Sequence, residues 1–380
     1  MRASYCYLPI LRARGGQFKA VAALSPEARS RLIPLFDVPA PVLKEGETLE
    51  RYLEKRADGI HRCWGPETPV YVDVYDFPPD FLTESGSQPI EHLAKSMRAR
   101  GTRPIPVSGT TSERSTDHLS AVRTIVRGTG DGVCLRLERD ELSEPDLLRS
   151  SVASTLDVLA VDPESVDVVL DLRYVGKDNV DVLRATVLEA IRVIRNLGSF
   201  RNFAIAGGSV PEHLPKQDEG KVRREPRIEI QLWFDVIATL AGFTPAFGDF
   251  GIVSPFYVPP GRRVNTPSRV RYTTATDHVF FRAKRSDRGK LCQQLVASAD
   301  FADPTFSVGD QNIALTANGL AGQGNPAIWV ADDLSHHLVF VSAQVWQGIE
   351  IRRLQSHFAI PAPSHQPRLQ NDMRLSGRPA

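Results

Sequence analysis

Eight short β-prone runs recur between residues 5 and 249, and each is separated from the next by a stretch long enough to hold a helix. They cover 5–10, 31–38, 69–75, 103–108, 132–138, 166–172, 202–207 and 245–249. Strands joined by connections of that length pair in parallel, because the chain must cross over before it returns. Eight is the number that closes into a ring, and the last run ends where the ~250 residues of such a barrel are used up. An open doubly wound sheet is the competing architecture, but no G-x-G-x-x-G follows the first run. The sequence therefore predicts the α/β class: a (β/α)8 TIM-like barrel over 1–255, then a C-terminal α+β extension over 256–360 and a flexible tail over 361–380.

The intervening stretches support this. In "DNVDVLRATVLEAIRVIRNLG" (178–198), Val180, Leu183, Val187, Ile191 and Ile194 recur at three- and four-residue steps, leaving charges on the other face. A second such helix is expected over 225–242, with Pro226 in its first turn. Segments 48–60, 87–100, 115–127 and 143–160 are further helices, and 17–30 carries a fainter pattern. Beyond 250, "SRVRYTTATDHVFFRAKR" reads as a β-hairpin turning near Thr276–Asp277, and "KLCQQLVASADF" as a helix.

Composition narrows the class of function. Apolar residues make up 42% and charged residues 24%, which gives a packed core rather than disorder. The formal net charge of +1 predicts no global attraction to nucleic acid or membrane. No apolar run approaches the ~20 residues that span a bilayer, and the first apolar stretch is too short for a good signal peptide. The four cysteines form no C-x-x-C pair, so reduced thiols in a cytoplasmic protein are expected.

Alternation along the strands assigns faces. Tyr71, Asp73 and Tyr75 share one face and Val70, Val72 and Val74 the other. Arg136 and Glu138 share a face, as do Asp171 and Arg173. The all-apolar faces should meet the helices, which turns the polar faces into the barrel. At the C-terminal strand ends, where barrel enzymes keep their chemistry, Asp73, Arg136, Asp171, Arg173 and Asp249 are then expected to converge, with Asp37 ending the second run. Two readings of this cluster stand: an anion-binding or acid/base site, or a buried salt-bridge network in place of aliphatic filling. An Asp beside an Arg should have a depressed pKa. Arg227 and Glu229 either support the mouth from a helix start or form a solvated, locally paired first turn.

Residues 261–290 carry nine Lys/Arg against two Asp, with Tyr272, Phe280 and Phe281 interleaved. That is a footprint for nucleic acid, an edge meeting an acidic partner or the barrel's own carboxylates, or simply a solvated face. His336 and His337 are adjacent, so they diverge on any regular element and make poor co-ligands; no metal site is expected from them.

The ordered series "YLPILRARGGQFKAVAALSPEARSRLIPLFDVP", "RIEIQLW", "AFGDFGIVSP", "VRYTTATDHVFFRAKR", "FSVGDQNIA", "GNPAIW" and "SHHLVFVSAQV" resembles the phage beta-protein family over nearly the whole chain. That resemblance implies a protein of phages, satellites or bacterial mobile elements, some encoded in cassettes tied to anti-phage defence or to restraint of a toxic product; it implies no particular reaction. The expected function is a component of such a phage–host conflict system, binding a protein from the same cassette or a phosphate-bearing ligand at the barrel mouth. Asp310, Asn325, His336 and His337, with Arg269 and Arg271, would contribute from the extension. The alternative is a barrel hydrolase or phosphodiesterase acting on nucleotides or nucleic acid. No cofactor is expected, and a divalent metal only under that alternative.

Overall fold

The computed structural model describes residues 5–66, 68–213, 221–256, 268–283 and 287–358; the predicted tail over 361–380 lies outside them. Its strands are β1 (Tyr7–Arg12), β2 (Leu35–Asp37), β3 (Val70–Asp73), β4 (Pro104–Ser108), β5 (Val133–Glu138), β6 (Val166–Tyr174), β7 (Asn202–Gly208), β8 (Arg223–Pro226), β9 (Ala246–Asp249), β10 (Ser268–Thr273) and β11 (Asp277–Ala283). Its helices are α1 (Gly15–Ala22), α2 (Pro26–Ser30), α3 (Leu49–Trp64), α4 (Pro89–Arg98), α5 (Thr116–Thr129), α6 (Arg139–Leu142), α7 (Pro145–Leu159), α8 (Val180–Arg195), α9 (Ile228–Thr239), α10 (Arg288–Val296), α11 (Val308–Ala317) and α12 (Pro326–Phe358).

The eight expected strands close into a parallel barrel in the order β1-β2-β3-β4-β5-β6-β7-β9. The alternation argument sorts their side chains correctly at most positions. Leu8, Ile10, Leu35, Tyr71, Val107, Cys134 and Val169 fill the interior. Val70, Val72, Leu135, Val168 and Phe247 face outward and pack under the helices. Both layers bury branched side chains, the main favourable contribution to folding.

Two helix expectations change. The 17–30 segment breaks in two, because Pro26 stops α1 from continuing while Ser25 caps α2 by accepting from Ala28 N. The 225–242 helix starts only at Ile228, since Arg223–Pro226 leaves the helix and pairs with β11 as the third strand of an antiparallel sheet ordered β10-β11-β8. Pro226 thus ends a strand rather than opening a helix.

The stretch after 255 has two parts. The hairpin of β10 and β11 forms as expected, and with α10 and α11 it encloses its own small core of Val270, Tyr272, Val279, Phe281, Leu291, Leu295 and Ile313. The outer edge of β10 is closed by side chains: Arg288 donates to Arg269 O, Asp333 accepts from Arg271 N, and His336 meets Thr273 O. Helix α12 returns to the barrel. Leu334, Leu338, Val341 and Val345 join the layer between strands and helices. Gly16 of α1 lies against Ala327 and Val330, and Gly348 against Phe234 of α9, so α12 occupies the eighth outer position of the ring.

All four cysteines are buried and unbridged. Burial pushes the Cys63 thiol up to about 12 and that of Cys6 to about 11, so neither is a reactive thiolate. Among the described residues no helix is long and apolar enough to cross a membrane.

Candidate functional site

Arg136 sits at the centre of the barrel near the C-terminal strand ends, 1% exposed. Strand β5 carries it inward, and neighbouring strands supply its partners. Its Nε donates to Asp171 at 2.8 Å and its Nη1 to Asp73 at 2.9 Å, while Nη2 stands 2.8 Å from Asp171 and Asp37 3.5 Å from Nη1. Arg12 bridges Asp37 and Asp76 at 2.8 and 2.7 Å, and Arg114 reaches Asp73 at 3.4 Å. Register explains the assembly: β1, β2 and β3 align Arg12 with Asp37 and Asp37 with Asp73. Asp37, Asp73, Arg136 and Asp171 therefore meet as the alternation argument requires. Each acid has a guanidinium within ion-pair distance; Arg136 Nε and Nη1 donate to carboxylates, while its Nη2, close to Asp171, makes no hydrogen bond.

One expectation fails here. The Asp37 carboxyl is not depressed: burial outweighs Arg12 and Arg136 and, with the nearby acids Asp73 and Asp76, pushes it up to about 6. Losing water costs this carboxylate more than two guanidiniums return.

Arg173 lies one step further out, on a β-bulge between β6 and β7. Its φ is +56°, unusual for a residue with a Cβ. Its backbone N–H donates to Asp171 at 2.8 Å, and its guanidinium stands over Tyr75 at 4.7 Å and Phe250 at 5.7 Å. The same two rings lie against Arg136. If the bulge holds strain, Arg173→Gly will be more stable than Arg173→Ala by about 1 kcal/mol, because only glycine adopts this backbone freely. Denaturant midpoints of the two variants measure the difference; equal midpoints would show an unstrained bulge.

Asp249 does not join this cluster. It shares the outward face of Phe247 and Tyr7, accepts from Tyr7 at 2.8 Å and Gly251 N at 2.9 Å, and meets His337 Nε2 of α12 at 2.9 Å. Burial alone would raise its carboxyl; His337, Gly251 and Tyr7 together hold it below the usual range. Burial lowers the His337 imidazole despite Asp249. Glu229 is buried rather than solvated: it accepts from Ser209, meets His278 at 3.2 Å and lies 3.6 Å from Arg227. His336 pairs with Asp310 at 3.0 Å. Three imidazole–carboxylate pairs thus sit where the small sheet and α12 join the barrel, outside the mouth. Asn325 caps α12, accepting from Ala327 N and Ile328 N.

The basic stretch is partly neutralised. Arg288 contacts Asp332 at 3.1 Å and Asp333 at 3.4 Å, and Arg271 stands 3.8 Å from Asp333. Arg269 flanks Arg271 and Arg282, and burial lowers its guanidinium. Arg262, Arg263, Lys284 and Arg285 lie outside the described residues. Among the described residues no group of three or more His, Cys, Asp or Glu is placed to hold a metal ion.

A cavity of about 290 Å³ opens beside the cluster at the ends of β3, β4 and β5. Tyr75, Phe77, Pro78 and Pro79 wall one side; Glu113, Arg114, Ser115, His118 and Glu138 bring its polar groups. Ser115 caps α5 and Gln88 precedes α4, so the N-termini of both helices border it. His118 is 7% exposed, and its Nε2 has no hydrogen-bond partner. Burial and Arg114 push its imidazole down to about 4 against the pull of Asp73. Glu113 is solvent-exposed along part of its length, but its carboxyl folds back over Gly109, where an added Cβ would stand 2.5 Å from Oε2. Partial burial, with Glu141 and Glu138 nearby, pushes that carboxyl up to about 8. Glu141 itself is buried and accepts from Thr110, Ser112 and Ser151. None of Glu113, Arg114 or His118 was expected from the strand pattern. The signal was available in "SGTTSERSTDH" (108–118), a polar loop after a barrel strand, where such folds place functional groups.

Among solved structures, triosephosphate isomerase from Bartonella henselae is 12% identical over 64% of this chain and 90% of its own, with a TM-score of 0.34. Alanine racemase from Clostridium difficile 630, in complex with cycloserine, is 8% identical over 58% of this chain and 57% of its own, with a TM-score of 0.31. No curated protein matches the chain. The family model described as Beta protein matches residues 7–343, taking in the whole barrel and most of α12. This chain belongs to the Beta protein family.

Proposed function

We propose that the protein is a cytoplasmic binding component of a phage–host conflict system and that its barrel mouth takes a phosphate-bearing ligand, free or carried by a protein of the same cassette. The carrying observation is the mouth cavity: Arg114 lines it, and two helix N-termini border it. Backbone N–H groups and the positive ends of helix dipoles favour anions there, and a guanidinium grips phosphate in two-pronged fashion. Arg136, which the sequence reading offered to an anion together with Arg173, is buried among aspartates; Arg114 in the cavity joins Arg173, which lies outside the cavity's lining, in that role. The conflict role rests on what the family resemblance read in the sequence implies.

Calorimetric titration with inorganic phosphate and with mononucleotides tests the binding. Arg114→Ala and Arg173→Ala should each weaken it about tenfold or more, the ~1.5–3 kcal/mol of a charged hydrogen bond. Unchanged affinity in both variants rules the mouth out. Phage plating on cells with and without the gene and its neighbours tests the biological role, and equal plating across a broad phage panel counts against it.

A further inference from the structure

We propose that the face of the small sheet turned away from its own core binds the backbone of a single nucleic-acid strand, with the Arg269 guanidinium as the principal phosphate contact. Alternation sorts this sheet into two faces. Val270, Tyr272, Val279 and Phe281 fill the core shared with α10 and α11. Arg269 and Arg271 of β10 share the other face with Arg282 of β11, since Arg269 stands opposite Arg282 and Arg271 opposite Phe280. Arg223 of β8, also opposite Phe280, extends that face. Like charges facing each other across two strands cost stability, so an anion between Arg269 and Arg282 stabilises the sheet.

The protein supplies that anion only in part. Arg271 leans on Asp333 at 3.8 Å, and Arg223 pairs with Glu225. Arg269 meets no carboxylate among the described residues; the charged groups around it are Arg271 and Arg282. Its Nε is enclosed without an acceptor, but the side chain is part-exposed, so its two Nη groups are the donors it can offer. A guanidinium drawn partly out of water is normally paired, and this one is left for a ligand. Charge and shape set the class of that ligand. The Cβ atoms of the array stand ~7 Å apart along β10 and ~5 Å apart across to β11. Such a flat array suits successive singly charged phosphates better than one compact anion, whose sites are concave. Phe256, 45% exposed, stands 6.2 Å from the Tyr174 ring, and Tyr174 lies within electrostatic reach of Arg223 and Glu225. Exposed rings beside a basic face stack unpaired bases, which a duplex keeps inside. The array lies apart from Arg114 and the mouth cavity, so the strand and the mouth's phosphate-bearing ligand bind independently.

Fluorescence anisotropy of the full chain with labelled oligo-U RNA, oligo-dT DNA and a DNA duplex, each about 12 units long, tests the site over a salt series. The strands are expected to bind about tenfold or more tighter than the duplex. Log affinity should fall against log salt with a slope near −2, from ~0.7 for each of about three phosphate contacts. Arg269→Gln should weaken strand binding about tenfold and make the slope shallower by ~0.7. Without ligand its thermal midpoint should match or exceed the parent's, because one of two facing like charges is gone. Phe256→Ala should weaken binding about tenfold at an unchanged slope. Should Arg269→Gln misfold by circular dichroism, Arg282→Gln removes the facing charge instead and is read in the same way. Tighter binding of oligo-U or of oligo-dT supports the site and identifies the strand as RNA or DNA. Arg114→Ala should bind strands as the parent does; a loss there moves the strand to the mouth and overturns the sheet site. Equal strand binding by the parent and Arg269→Gln, a duplex bound as tightly as the strands, or no binding at low salt overturns it as well.

Discussion

Arg136→Met is expected to cost about 3–5 kcal/mol of folding stability, the range for breaking a buried ion pair by deleting one partner. The loss of attraction is only part of it. Asp73 and Asp171 are wholly buried and Asp37 is 1% exposed, so all three would stay in the barrel without Arg136, held only by Arg12 on Asp37, Arg114 on Asp73 and the more distant Arg173 on Asp171. Methionine restores most of the volume, which keeps cavity effects small. Neutralising the acids should reverse the damage: Arg136→Met with Asp73→Asn and Asp171→Asn is expected to recover most of the loss, since well-packed neutral replacements of buried ion networks are often harmless. Denaturant midpoints at constant slope measure both variants. A loss under about 1 kcal/mol for the single change would show that water reaches the cluster and that the network does not hold the barrel.

Asp249→Asn and Asp37→Asn should have opposite effects, although both residues end a barrel strand and both are 1% exposed. Asp249 accepts three hydrogen bonds as an anion, and its folded pKa lies below the unfolded value near 4. Its contribution is therefore present above pH ~4 and lost as the pH falls through the folded value. Removing the charge should cost about 2–4 kcal/mol at pH 7. Asp37 titrates at about 6 when folded. Folding favours its protonated form, so the stability it brings is complete below pH ~4 and lost as the pH rises from about 4 to 6. Asparagine mimics the protonated acid, and at pH 7 the exchange should gain up to about 3 kcal/mol, the equivalent of the two-unit shift. Thermal or urea unfolding at pH 7 and pH 4 separates the two. A large loss for Asp37→Asn at pH 7 would mean that its bridges to Arg12 and Arg136 outweigh desolvation.

How far the sequence foretold this depends on where period-two alternation is readable. In "VYVD" and "VCLRLE" every second residue is plainly apolar, so the inward placement of Asp73 and Arg136 follows. In "AFGD" the glycine hides the pattern, because Gly248 has no side chain to mark a face; Asp249 was assigned inward and points outward. Strand β8, "RREP", is invisible by composition, as it is held by backbone pairing to β11. Glu113 and Arg114 lie in a loop, where no period exists, and His118 lies in the first turn of α5, where the helical period marks a buried face but no function. Helix α12 is buried by the barrel on one side and the small sheet on another, so its apolar residues run round it and a one-faced pattern never forms.

The position of α12 bears on how the molecule is made. Strand β9 is finished at Asp249, yet the helix that covers β1 and β9 begins only at Pro326. As the chain leaves the ribosome, the strip formed by Tyr7, Leu11 and Phe247 must wait, covered on one side only by Trp233 of α9, while the hairpin, α10 and α11 emerge. The first-made strand receives its shelter from one of the last-made helices, and the nascent barrel stays adhesive throughout that interval.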